Sequence, residues 1–286
     1  MDIVLFCNDS YFAYLLAEPI FYTFCKSIKA VVFSTKIKSS LPTIFKIYRQ
    51  TYPRYFLYRA TVDACNKMAR LTGGNGISSL VRKNGLVSFN EGDINVSDTL
   101  SQFFPADLGV AINFDQKIGD SVLKSFKYGI LNCHASKLPK DKGISPALWA
   151  FARGDDSIWF TIYKMTTGFD AGPIYKQVKV GIDRADTAFS IYERVCAQAG
   201  EELVKAIEDL RDGTAIFRPQ SLDIRPNYFG WPDARHKTMM RASGRKFIKF
   251  SEILRALGPC KPRVPLSDLE TMLDDGSRNR HLTSVR

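Results

Sequence analysis

Four short stretches of this chain are apolar at consecutive positions rather than at alternate ones: Ile3–Cys7, Ala30–Ser34, Asp107–Phe114 and Tyr128–Leu131. A strand covered on one face alternates apolar and polar residues. A strand that is apolar on both faces needs cover on both, which is the situation in a parallel sheet layered between helices. Stretches of helical period separate these runs. Asn8-Asp9-Ser10 supplies a turn and a cap before a helix at Tyr11–Lys26, which Pro19 would break or kink. Leu41–Tyr52 and Tyr55–Leu71 read as helices broken at Pro53, and Ser97–Phe104 and Ile118–Phe126 as shorter ones. Leu86–Phe89 is a short strand, and Ser145–Arg153 is a helix with Pro146 at its first position. The predicted class is α/β: a Rossmann-like, mostly parallel sheet flanked by helices.

A long amphipathic helix closes this region. Within Thr187–Asp212, residues Ala188, Ile191, Val195, Ala199, Leu203, Ile207 and Leu210 form one apolar stripe, with Asp186 as the expected cap and Gly213 as the stop. The pattern weakens after Gly213. Pro219–Trp231 reads as a loop, Lys237–Leu257 as a helix and a strand, and the tail from about residue 259 as loosely ordered. Two parts are therefore expected, a domain over 1–213 and a small, partly irregular basic C-terminal extension over 214–286.

The charge balance bounds the partners. The net charge is +11, and from Thr214 onward there are 14 Lys/Arg against 7 Asp/Glu. Arg235–Lys249 and Lys36–Arg59 each hold six basic residues and no acidic one. Such stretches suit the phosphates of a nucleotide, an RNA or an anionic surface, or they form a solvated face. The aromatics Phe45, Tyr48, Tyr52, Tyr55, Phe56 and Tyr58 mostly follow helical spacing, which predicts core packing, with base stacking as the other reading. Gly73-Gly74-Asn75-Gly76 lacks the following Lys-Ser/Thr of a phosphate loop, and no GxGxxG follows the first strand, so a dinucleotide is not indicated. Six scattered cysteines suggest neither a zinc site nor a disulfide framework, and reduced thiols in a cytoplasmic setting are the plain reading. Tyr11–Phe24 is too short and too interrupted, by Glu18 and Pro19, to span a bilayer.

The chemistry concentrates between Gly129 and Gly181. Asn132 and His134 lie two apart at the end of the Tyr128–Leu131 run, so on a strand they share one face at its C-terminal end. In open α/β sheets that end is where ligands bind. Asp170 follows in the loop Thr166–Gly172, between the strand candidates Ile158–Tyr163 and Pro173–Val180. An amide, an imidazole and a carboxylate can steady an oxyanion, move a proton and hold the imidazole's charge. Cys133 falls on the opposite face and reads as a packed small hydrophobe. His236 and His281 lie in basic or tail segments and receive no catalytic role.

In order, Asn132-x-His134, Ser136-x-Leu138-Pro139-x-x-x-Gly143, Ser145-Pro146-x-x-Trp149-Ala150 and Asp170-x-Gly172-x-Ile174 resemble the core of the folate-dependent N-formyltransferases. That family includes the methionyl-tRNA, glycinamide ribonucleotide and nucleotide-sugar enzymes. The resemblance is strong over roughly 107–212, loose before that and thin after it.

It implies that 1–213 is a formyltransferase catalytic domain moving a formyl group from 10-formyltetrahydrofolate to a primary amine, without a metal. Asn132, His134 and Asp170 are the implied catalytic residues. His134 would be protonated, its charged form favoured by Asp170, and would share the oxyanion with Asn132. Phe114, Gln116, Ile118, Leu138 and Thr167 are implied at the folate site, largely through main chain. Asn113-Phe114-Asp115 stands where a small-residue turn is common. Asn8, Ser136 and Lys142 are implied on the substrate side. The expected acceptor is an amino-sugar nucleotide or another small, phosphate-bearing amine. Other readings are a methionyl-tRNA formyltransferase, a formyltetrahydrofolate hydrolase, and a non-catalytic RNA-binding α/β protein.

Overall fold

The structure is a computed structural model that describes residues 1–35, 41–96, 98–102 and 104–258. β1 (Ile3–Cys7) leads through α1 (Tyr11–Phe24) to β2 (Ile28–Ser34). Then come α2 (Leu41–Gln50), α3 (Pro53–Thr72), α4 (Ile77–Lys83) and β3 (Ser88–Glu91). Past a 3-10 turn at Asp98–Gln102 the chain forms β4 (Leu108–Ile112), α5 (Asp120–Lys124) and β5 (Ile130–His134). The remainder supplies β6 (Asp141–Gly143), α6 (Pro146–Arg153), β7 (Ser157–Lys164), β8 (Ile174–Gly181), α7 (Ala188–Asp212), β9 (Asn227–Phe229), α8 (Ala234–Ala242) and α9 (Phe250–Leu257).

Seven strands form one sheet in the order β3-β2-β1-β4-β5-β7-β8. Pairing is parallel from β3 to β5, while β7 runs antiparallel to both β5 and β8. The mostly parallel α/β sheet is thus as expected, with an antiparallel edge at β7 and β8.

Alternation along each strand assigns its side chains to two cores. Ile3, Leu5, Val31, Val110, Leu131, Phe160 and Ile162 belong to the larger cluster, which α1 and α7 cover. Val4, Phe6, Val32, Ala111 and Ile130 belong to the smaller one, with Ile118, Val122 and Phe126. Because Ile130 faces the smaller core, Asn132 and His134 continue on that face. Cys133 points to the larger core, where burial pushes its thiol up to about 12.

Several boundaries differ from the sequence reading, each for a local reason. Pro19 stays inside α1. Pro53 opens α3 at its first turn, where its missing N–H costs nothing. The cap of α7 is Thr187, not Asp186; its hydroxyl accepts the Ser190 N–H, and the Asp186 carboxylate instead pairs with Arg194. The helix expected at Ser97–Phe104 is the short 3-10 turn, and Ser97 and Phe103 lie outside the described residues. The Pro219–Trp231 loop contains β9, which pairs in parallel with β6. The Lys237–Leu257 region holds most of α8 and all of α9, and in place of the expected strand Lys246 makes an isolated bridge to Thr187. The tail from residue 259, with Cys260 and His281, lies outside the described residues, as do Lys36 and Lys38 of the first basic stretch.

Three of the six basic residues of the second stretch are engaged within the molecule. Arg245 donates to the carbonyls of Phe151 and Asp155, Lys249 donates to Ala185, and Arg235 stacks over Trp149. Of the predicted core aromatics, Tyr52, Tyr55 and Tyr58 are buried while Phe45 and Tyr48 are exposed. His236 is fully buried, its Nδ1 2.9 Å from the Tyr52 hydroxyl and its Nε2 3.2 Å from the Leu148 carbonyl. It is a core residue that ties α8 to α6. Among the described residues no helix is long and apolar enough to cross a membrane.

Two outcomes follow. At Gly200 in α7, an added Cβ would sit 2.6 Å from the Leu16 carbonyl oxygen in α1. Gly200→Val should cost about 1–3 kcal/mol by overpacking this seam, read as a lower denaturant midpoint. Burial lowers the His236 pKa to about 4, whereas the unfolded chain titrates near 6.5. The contribution of neutral His236 is therefore complete above pH 6.5 and lost as pH falls toward 4. It amounts to about 3 kcal/mol at most. Urea unfolding across that window should show this loss, and His236→Phe should remove it.

Candidate active site

The site is built where β5 ends. In the antiparallel ladder with β7, Asn132 lies opposite Tyr163 and His134 opposite Thr161. Directly opposed residues share a face, so Tyr163 is placed beside the Asn132 amide. Asn132 Nδ2 donates to the Tyr163 hydroxyl at 2.9 Å, and that hydroxyl donates to Asp170 Oδ1 at 3.0 Å. The same Asp170 oxygen lies 3.6 Å from His134 Nδ1. The three predicted residues are thus brought together, with Tyr163 as the link between two of them.

Asp170 reaches this position because the loop after β7 folds back tightly. Met165 N donates to the Ile130 carbonyl, and Lys164 N to the Pro173 carbonyl. Asp170 adopts a left-handed backbone (φ 48°). At Gly172 a Cβ would come 1.7 Å from the Lys164 carbonyl oxygen, so only glycine permits this approach. Gly143 N, on β6, donates to Asp170 Oδ2 at 3.4 Å.

The electrostatics correct one expectation. Burial pulls the His134 pKa below its ordinary value, outweighing the opposing pull of Asp170 and of the Asp141 carbonyl, which lies 3.3 Å from Nε2. His134 is therefore neutral near pH 7, not protonated. Burial, reinforced by the nearby Asp170 charge, raises the Tyr163 pKa well above its usual range, so it remains a phenol and a donor.

The other predicted residues are placed as follows. Lys142 is buried beneath the loop, its Nζ 3.5 Å from the Phe169 carbonyl. The Ser136 hydroxyl donates to the Asp141 carbonyl. Leu138 is buried, with its N–H on the Thr161 hydroxyl and its carbonyl accepting from Gln177. Thr167 is exposed in the Asp170 loop.

Asn8, Phe114, Gln116 and Ile118 belong to a second group beyond β4. Asn8 Nδ2 donates to the Asn113 carbonyl, tying the end of β1 to the end of β4. Phe114 packs on Phe6, and Ile118 is in the smaller core. The Gln116 amide is fully engaged, donating to Ser34 Oγ and the Glu91 carbonyl and accepting from Ile94 N. Lys117 Nζ lies 5.3 Å from the Phe169 ring centre, so this loop meets the Asp170 loop. Beside it, Asp115 Oδ1 is buried without a hydrogen-bond partner.

Sequence reasoning missed Tyr163. Its one signal was its place at the end of the apolar run before the Asp170 loop. Gln220, which donates to the carbonyls of Asp170 and Gly172 at 2.9 Å each, gave no signal at all.

The sequence profile of the formyl transferase family matches residues 63–207. The chain belongs to the formyl transferase family. Its relatives include methionyl-tRNA formyltransferases. That of Halothermothrix orenii is 32% identical over 149 residues, 51% of this chain and 47% of the relative. That of Agathobacter rectalis is 27% identical over 162 residues, 54% of this chain and 49% of the relative. The chain thus matches about half the length of these curated relatives.

Among solved structures, the N-formyltransferase from Helicobacter canadensis, in complex with folinic acid and dTDP-3-aminofucose, superposes with a TM-score of 0.54. The match covers 80% of this chain and 71% of that one at 16% identity. A glycinamide ribonucleotide transformylase from Symbiobacterium toebii gives 0.53, covering 77% of this chain and 95% of that one at 18% identity. These are likenesses of fold, and the fold is the family's.

The geometry sets the sign of one titration. Asp170 pulls the His134 pKa upward, so Asp170→Asn should shift the His134 imidazole resonances to titrate at still lower pH. Native His134 should itself titrate below 6.5. A native value above 6.5, or an upward shift in the variant, would contradict this electrostatic account.

Proposed function

We propose that this chain transfers a formyl group from 10-formyltetrahydrofolate to a primary amine. The observation that carries this reading is the cluster of Asn132, Tyr163, Asp170 and His134 at the end of β5. Attack of an amine on a formyl carbon develops an oxyanion and releases a proton. Asn132 has two N–H donors and gives one to Tyr163, leaving the other to meet the oxyanion. Neutral His134 can take up a proton. The imidazolium so formed has two acceptors in place, Asp170 Oδ1 and the Asp141 carbonyl. Tyr163 holds both the amide and the carboxylate and stays uncharged while it does so. The products are a formamide and tetrahydrofolate, whose nitrogen regains a proton.

The loop at Asn113–Ile118 fits the donor. The buried, unpartnered Asp115 Oδ1 calls for a ligand that brings N–H groups, as the aminopyrimidinone edge of a folate does. Phe114 offers an aromatic edge beside it. Names of relatives point the same way, since the Helicobacter canadensis structure contains folinic acid and another neighbour was solved with 5-N-formyl-THF.

For the acceptor we favour an amino-sugar nucleotide or a similar small, phosphate-bearing amine. The sugar-modifying neighbours align over 80% of this chain, including part of the region beyond the family match. In the described residues after Gly213, β9 joins β6, and α8 and α9 pack on α6 and α3. The names of the curated relatives favour methionyl-tRNA as the second reading. The described cysteines are free, which suits a reducing cytoplasmic setting.

The test is tetrahydrofolate release from 10-formyltetrahydrofolate with amino-sugar nucleotides, methionyl-tRNA, or no acceptor. Release should require an amine. Asn132→Ala should lower kcat by about 10²–10³-fold, the usual cost of one oxyanion donor. His134→Ala and Asp170→Ala should lower it further. Release without an amine would point to hydrolysis instead, and unchanged rates in all three variants would remove the site.

A further inference from the structure

The carboxylate of Asp170 is useful only if its loop holds one shape, and that shape is uncommon. Asp170 is one of three non-glycine residues with a left-handed backbone among the described residues. Nothing within the Thr166–Gly172 segment itself ties down the carbonyls of Asp170 and Gly172. Both accept from a single side-chain nitrogen, Gln220 Nε2, at 2.9 Å each. We propose that Gln220 is the positioning residue of the active site, a clamp from the C-terminal segment that sets the Asp170 carboxylate against Tyr163 and His134. This rests on the transfer reading for its consequence in catalysis, but the clamp itself is a property of the fold.

Three observations support it. First, the amide orientation is fixed, because a flipped amide would set its oxygen against two carbonyl oxygens. Second, Gln220 Oε1 is buried and has no hydrogen-bond partner. A residue kept for stability alone gains little from an acceptor stranded in this way, whereas functional sites tolerate such costs. Third, the segment that carries Gln220 is pinned two residues earlier. Arg218 exchanges main-chain hydrogen bonds with Ile174, the first residue of β8, at 2.7 and 2.8 Å. Gln220 therefore reaches the loop from a fixed base, and both sides of the Asp170 turn are anchored to the same strand end. It also lies outside residues 63–207, where the family profile matches. The extension beyond α7 is thus part of the catalytic apparatus.

The test uses Gln220→Glu and Gln220→Ala in the full chain. Ionised Glu keeps the shape of Gln but has no N–H. Set between two carbonyl oxygens and partly buried, it titrates above its ordinary value. Near pH 8, both variants should lose about 10²-fold in kcat, the scale of a roughly 1 Å misplacement, with KM for donor and acceptor little changed. As pH falls, the ratio of Gln220→Glu to wild-type kcat should rise as the protonated acid regains one donor. The Gln220→Ala ratio should stay flat. The carbonyl ¹³C resonances of Asp170 and Gly172, which lose their shared donor, should shift in both variants at pH 8.

Shifted carbonyl resonances with unchanged kcat would overturn the positioning role. Unchanged resonances at both carbonyls would overturn the clamp. Equal losses in both variants at every pH, with a matching fall in thermal midpoint, would make Gln220 a stability residue only. Should the wild type itself transfer no formyl group, the transfer reading fails, and the clamp is decided by the carbonyl resonances alone.

Discussion

The site depends on β7 running antiparallel to β5. That register sets Tyr163 directly opposite Asn132 and Thr161 opposite His134. An antiparallel β7 also ends beside the start of β5, so the following loop must turn back over the face that carries Asn132 and His134. Gly172 allows the turn by packing its backbone on the Lys164 carbonyl. The mixed edge of an otherwise parallel sheet is therefore what joins two distant stretches of sequence into one hydrogen-bonded group.

Burial then decides the charge states. His134 has an acceptor near each ring nitrogen, an arrangement that favours the imidazolium, yet desolvation keeps it neutral at rest. A base that is neutral at rest and well accommodated once charged is suited to take a proton during the reaction. Tyr163 follows the same logic in the other direction, since burial and Asp170 together forbid the phenolate. The smaller core, built on Ile130 and its neighbours, lies behind these residues on the same face of the sheet.

Much of this was legible in the chain because it is local. Unbroken apolar runs gave the buried strands, and two-residue spacing put Asn132 and His134 on one face with Cys133 on the other. What was not legible is set across distance. Tyr163 matters through a cross-strand register, which alternation within one strand does not encode. Gln220 lies 50 residues from Asp170. The His134 charge was misread because burial, a property of the assembled core, outweighed its visible acidic neighbour. The cap of α7 was misread by one residue because Thr187 and Asp186 are both good caps, and Arg194 claims the carboxylate.

The most direct measurement is ¹³C NMR of the protein with donor labelled at the formyl carbon and an amino-sugar nucleotide. The account expects the label to leave the folate and appear as a formamide on the acceptor, in wild type and far more slowly in Asn132→Ala and His134→Ala. Label that moves to formate instead, or a formamide that forms equally fast in those variants, would contradict it.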